Sequence, residues 1–88
     1  MAWTIRFSDN AKRELQKLDK PLQKRITSFL TNRIQNTLNP RSTGKALQGQ
    51  LAGYWRYRVG DYRIICQIKD DELLILVIEI GHRKEVYR

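Results

Sequence analysis

The chain has 88 residues, 41% of them hydrophobic, and carries 17 Lys and Arg against nine Asp and Glu, a net charge of +8. That size permits one domain with a thin core, and the apolar content argues against disorder. The charge excess points to an anionic partner, nucleic acid or an acidic protein, and the single cysteine, Cys66, excludes an internal disulfide. Residues 2–7 alternate, with Trp3, Ile5 and Phe7 on one side, which predicts a short strand. Ser8 or Asp9 then offers an acceptor for the free N–H groups of a first helix, in which Ala11, Leu15 and Leu18 repeat at helical spacing. Pro21 suits the first turn of a second helix, reached by a very short connection and packed antiparallel to the first. Its apolar stripe is Leu22, Ile26, Phe29, Leu30 and Ile34, with Lys20, Lys24, Thr27 and Gln35 on the opposite face.

Periodicity is lost from 36 to 50, and Asn39, Pro40 and Gly44 mark that stretch as a loop. Residues 54–59 alternate again, Trp55, Tyr57 and Val59 against Tyr54, Arg56 and Arg58. Gly60 and Asp61 suit a tight turn, so 62–68 returns as the next strand, with Tyr62, Ile64, Cys66 and Ile68 facing one way and Arg63, Ile65 and Gln67 the other. Residues 69–72 form a second turn. Residues 73–80 are nearly all apolar, as in a central strand buried on both faces, and Gly81 is expected to interrupt it. Residues 82–88 form a short tail, an edge strand or a single turn. The predicted fold is α+β, with two helices from the N-terminal half packed on one face of a small, mainly antiparallel sheet of three to five strands. All 88 residues are expected to form one domain. The longest apolar run, 73–78, has six residues, against about 20 for a membrane span. No membrane contact is expected. The start lacks a long apolar segment behind a basic one, so the expected location is the cytoplasm.

One histidine and one cysteine do not furnish a zinc site, and no glycine-rich phosphate loop is present, so neither metal nor cofactor is expected. Cys66 between isoleucines reads as an inert packing residue. The chemistry-bearing residues that remain are arginines and tyrosines. Arg56, Arg58 and Arg63 lie on facing strands of the predicted hairpin. Residues across a ladder are about 4.8 Å apart, so their guanidinium forks can converge on one phosphate. His82, the one side chain with an ordinary pKa near neutral, follows Gly81 with Arg83. Tyr87 can stack a base, donate a proton or close the core.

Three segments, KALQG at 45–49, WRYRVGDYRI at 55–64 and IGHRKEVY at 80–87, follow the strand and basic helix pair. With them the chain resembles the RelE/ParE toxin superfamily of bacterial toxin–antitoxin systems, in its RelE branch. The resemblance covers essentially the whole chain. It implies a metal-independent, ribosome-dependent endoribonuclease that cuts messenger RNA in the decoding site. There the ribose 2′-hydroxyl attacks the adjacent phosphate, leaving a 2′,3′-cyclic phosphate and a 5′-hydroxyl. By position it makes Arg63 the phosphate-binding arginine, and Arg83 the group that stabilises charge or protonates the leaving oxygen. Tyr87 becomes the tyrosine that orients the nucleotide. Arg56 falls near a position where some members carry a general-base lysine, with Arg58 or Tyr54 as alternatives. Arginine is a very poor base, which weakens that role. Lys45, Tyr54, Arg58 and His82 complete the expected RNA-contacting set. The resemblance also implies a separately encoded antitoxin that wraps the toxin, with operator DNA bound only through that complex. ParE-like members share the fold but inhibit DNA gyrase and cut no RNA.

Overall fold

The computed structural model describes residues 2–82. Seven regular elements follow in order: β1 (Thr4–Phe7), α1 (Asp9–Gln16), α2 (Lys20–Phe29), β2 (Lys45–Ala46), β3 (Trp55–Val59), β4 (Tyr62–Lys69) and β5 (Leu74–His82). Side chains start both helices. Ser8 Oγ accepts the Ala11 N–H at 3.1 Å, and Asp19 Oδ1 accepts the Leu22 N–H at 3.1 Å, with Pro21 in the first turn of α2. Beyond Phe29 the helix widens into a π-helical segment, Leu30–Ile34, closed by the Gln35 N–H on the Leu30 carbonyl at 2.8 Å. The Gln35 carbonyl in turn accepts the Trp3 N–H at 2.7 Å, tying the end of the helical half to the start of β1.

The strands form one sheet in the order β1-β5-β4-β3-β2, with β1 parallel to β5 and the other pairs antiparallel. The helices cover one face, α1 over β5 and β1, α2 over β3. Trp3, Ala11, Ile26, Leu30, Ile34, Tyr57, Ile64, Cys66, Ile75, Val77 and Ile80 fill the space between, all nearly or fully buried. The expected helix stripe is therefore the core face, and Cys66 packs within it. Burial pushes the Cys66 thiol up, which keeps it protonated and unreactive at neutral pH.

Four expectations need correction. The first strand starts at Thr4, not at residue 2. The stretch 36–50 is not all loop, because Lys45–Ala46 pairs with β3, Lys45 opposite Arg56 and Ala46 opposite Trp55. Leu73 does not belong to the last strand but closes the preceding turn in the left-handed conformation, φ 49°. Gly81 does not interrupt β5, which continues to His82 with Gly81 opposite Arg63.

The apolar run of β5 also has a different cause from burial on both faces, since Leu74 and Leu76 are only half-buried. Ile65 pairs with Glu79 and Cys66 with Val77, so Ile78 is an extra, bulged residue. The bulge shifts the alternation. Ile75, Val77 and then Ile80 all reach the core. Beyond Phe7, where β1 ends, the edge of β5 is satisfied by α1. Ser8 Oγ and Asn10 Nδ2 each donate to the Ile78 carbonyl at 3.2 Å, and Glu14 Oε1 accepts the Ile80 N–H at 2.8 Å.

The segment before β3 is clamped onto it by two ring donors. Trp55 Nε1 donates to the Thr43 carbonyl at 2.7 Å, and the fully buried Tyr57 hydroxyl donates to the Pro40 carbonyl at 2.6 Å. Burial holds the Tyr57 hydroxyl in its protonated, donating form. Tyr57→Phe deprives the buried Pro40 carbonyl of this donor. We expect a loss of about 1–2 kcal/mol in urea unfolding, with an unchanged m-value. An unaltered midpoint would show that the clamp contributes nothing.

Candidate nucleic-acid interface and active site

Alternation turns Arg56 and Arg58 away from the helices, because their neighbours Trp55, Tyr57 and Val59 belong to the core. The hairpin register sets Arg58 directly opposite Arg63 and Arg56 opposite Ile65. One row across the open face therefore reads Lys45, Arg56, Ile65, Glu79, and the next reads Arg58, Arg63, Gly81. Two arginines at directly opposed positions repel one another. That unfavourable pairing is expected where an anion is to be bound.

Ile65 is almost fully buried although it lies on the side of the sheet away from the helices. It forms an apolar floor between the charged positions. Arg56 Nε is buried and has no hydrogen-bond partner among the described residues, a cost that a bound phosphate oxygen would relieve. The one ion pair between described residues lies elsewhere: Arg41 forks onto Asp70 with two bonds of 2.9 Å. That contact holds the Asp70 carboxyl below its ordinary range.

The expected site residues are thus partly gathered. Arg56, Arg58, Arg63 and Lys45 share the open face. Tyr54 sits in the turn before β3, its N–H on the Leu51 carbonyl and its own carbonyl accepting from Leu47. His82 is in register with Tyr62, and their rings meet edge to face at 5.5 Å. Tyr62 packs against the core, so His82 is placed on the helix side of the sheet, away from the Arg63 side. Arg83 and Tyr87 lie outside the described residues.

Two residues of this face escape sequence reasoning. Arg6, opposite Leu76, is placed there by the alternation of β1, and no motif marks it. Glu79 is hidden by the bulge: strict alternation from Ile75 and Val77 would have sent it to the core. It forms no ion pair with a described residue. Burial, and then the charge of Glu14, push its carboxyl above the ordinary range. A carboxyl raised in the folded state favours folding below its unfolded pKa, and that advantage is lost as pH rises through the folded value. Glu79→Gln should therefore raise stability at pH 7 relative to the parent. The difference should shrink to nothing below about pH 4, where the parent carboxyl is protonated in both states. Melting curves at the two pH values check this; an equal shift at both would contradict it.

Among described residues no cluster of three or more His, Cys, Asp or Glu gathers, and no helix is long and apolar enough to cross a membrane. The arrangement offers planar cationic donors around a buried apolar floor. Such a surface can hold a phosphodiester and stabilise added negative charge on it.

The chain is similar to several known proteins. Toxin RelG of Mycobacterium tuberculosis is 31% identical over 88 residues, covering 100% of this chain and 99% of that protein. The mRNA interferase toxin RelE of Escherichia coli K12 is 28% identical over 90 residues, covering 99% of this chain and 92% of its own length. The crystal structure of the toxin–antitoxin complex RelBE2 from M. tuberculosis contains a chain that superposes with a TM-score of 0.86 at 28% identity, over 97% of this chain and 95% of that one. Residues 5–87 match the family model described as the ParE toxin of type II toxin–antitoxin systems. The chain belongs to that family, the ParE toxins of type II toxin–antitoxin systems within the RelE/ParE superfamily.

Proposed function

We propose that this toxin is a ribosome-dependent endoribonuclease that cuts messenger RNA by attack of a ribose 2′-hydroxyl on the adjacent phosphate. The observation that carries the reading is the open sheet face, where Arg56, Arg58 and Arg63 stand in adjoining rows and the buried Arg56 Nε lacks a partner among the described residues. The similarity to a protein named mRNA interferase RelE supports it across nearly the full chain.

In this mechanism the 2′-oxygen loses its proton as it bonds to phosphorus. The bond to the 5′-oxygen breaks, and that oxygen takes up a proton. The products are a 2′,3′-cyclic phosphate and a 5′-hydroxyl. Arg63 holds the non-bridging oxygens of the scissile phosphate through its fork. Arg56 adds positive field and acts as no base, since a guanidinium keeps its proton. Arg83 stabilises the charge of the transition state and assists the leaving oxygen. Tyr87 fixes the nucleotide by stacking, a contribution of roughly 1–3 kcal/mol. The ribosome positions the messenger, which matters most for a site with so few groups. A cognate antitoxin covers the free toxin, in line with the solved relative in a toxin–antitoxin complex.

The family model's description as a ParE toxin favours a second reading, a gyrase inhibitor that cuts no RNA. Two assays on one preparation separate them. The nuclease reading expects new mRNA 5′ ends within codons on translating ribosomes and unaltered supercoiling by gyrase. Inhibited supercoiling with intact mRNA would replace it with the second reading.

A further inference from the structure

We propose that Arg25, Arg33 and Arg58 form a second phosphate-binding site, which grips the sugar-phosphate backbone of RNA beyond the sheet face. The inference rests on the nuclease reading only for its biological purpose; the site itself is argued from its own geometry. An open cleft of about 450 Å³ lies between α2 with its π-helical extension and the end of the β3–β4 hairpin. Arg25, Arg33 and Arg58 line it with Ser28, Asn32 and Phe29, and none of these is acidic. Among the described residues the three guanidiniums make no ion pair with a carboxylate, in contrast to Arg41. Cations around one cleft repel one another, a cost that a bound anion would offset.

The backbone is shaped to bring them together. In an uninterrupted α-helix a residue eight positions on lies about 80° round the axis from the first. The π-helical turn at Leu30–Ile34 takes up extra chain and rotates Arg33 back toward the side of Arg25. Arg33 lies 6.0 Å from the centre of the Phe29 ring. Arg25 reaches across to the hairpin turn, where Gly60 adopts φ +58° and a Cβ would stand 3.2 Å from Arg25 Nη1. The positive φ favours glycine there.

Arg58 connects the cleft with the sheet face, since it lines the one and stands opposite Arg63 on the other. Facing residues of such strands are about 5 Å apart. A chain with a phosphate at Arg63 can thus present its next phosphates to Arg58 and then to the cleft. Regularly spaced anions and planar forks favour RNA over an acidic peptide, whose carboxylates are placed irregularly.

The test is fluorescence anisotropy with a fluorescein-labelled single-stranded RNA of about 20 nucleotides, titrated at several KCl concentrations. R25A/R33A should bind at least tenfold more weakly than the parent. Its log–log salt slope should be smaller by about 1.4, the value for two lost contacts to single-stranded phosphates. R33E alone, at an exposed position, should weaken binding in the same direction and guards against misfolding of the double variant. Parental affinity and slope in both variants would overturn the proposal. So would intact RNA binding combined with lost capture of an acidic antitoxin peptide, which would assign the cleft to that peptide. The assay scores no cleavage, so a toxin that leaves mRNA uncut fails the nuclease reading without deciding this site.

Discussion

Arg63→Ala is expected to lower single-turnover cleavage of ribosome-bound mRNA by about 100-fold or more, equivalent to roughly 2.7 kcal/mol of transition-state stabilisation. The reason lies in the register. Arg63 stands opposite Arg58 on one side and Gly81 on the other, in the middle of the sheet, where β3 and β5 hold its backbone from both flanks. Its fork is therefore offered from a rigid element, and a lysine cannot reproduce the bidentate contact. Arg63→Lys should recover only part of the rate. The proposed role of Arg63, a grip on the phosphate before and during reaction, also requires the ribosome concentration for half-maximal rate to rise. Arg83→Ala should instead lower the rate by a similar factor with ribosome binding largely intact, as for a contact made mainly in the transition state. Cleavage by Arg63→Ala within about threefold of the parent would remove Arg63 from the site.

Gly44→Ala is expected to be the most damaging single-methyl change to the fold. Gly44 has φ +87°, where an L side chain is strained. An added Cβ would lie 2.4 Å from the Arg56 carbonyl oxygen, 2.6 Å from Trp55 Nε1 and 3.0 Å from Tyr57 Cδ1. Two of those atoms are backbone and buried ring, which cannot swing aside. The Trp55 to Thr43 bond next to it must also stretch. Together the strain and clash should cost roughly 3 kcal/mol. For a domain of this size that lowers Tm by more than about 10 °C. Because β2 begins at Lys45 and pairs with Arg56, RNA affinity should fall with stability. A melting temperature within about 2 °C of the parent would refute the clamp as a determinant of the fold.

Local chemistry made much of this legible in advance. Ser8 announces the first helix start because a side-chain oxygen satisfies N–H groups that no helix can satisfy itself, and Pro21 announces the second because its missing N–H costs nothing in a first turn. The Gly60-Asp61 turn fixes the hairpin register, and with it the opposition of Arg58 and Arg63. Three features were not legible, each for a tertiary reason. The pairing of Lys45 with Arg56 involves two residues only, held by the Trp55 and Tyr57 donors to Thr43 and Pro40 rather than by strand propensity. The π-helical turn at Leu30–Ile34 leaves the apolar stripe intact, so no periodicity betrays it. The bulge at Ile78 sits in an unbroken apolar run, where alternation carries no signal, and it alone decides that Glu79 shares a face with Arg56. For the site, basic residues on a hairpin were readable by pattern. That His82 is turned to Tyr62 on the opposite side of the sheet depends on the same bulge, since β5 changes faces at it.

The proposed mechanism has the arginine face promote attack by a ribose hydroxyl. Its most direct test is single-turnover cleavage, on ribosomes, of an mRNA carrying one 2′-deoxynucleotide at the mapped cleavage position. The mechanism predicts that the all-ribose message is cut to a 2′,3′-cyclic phosphate and a 5′-hydroxyl, and that the 2′-deoxy message is not cut at that position. Cleavage of both messages at equal rates would contradict it.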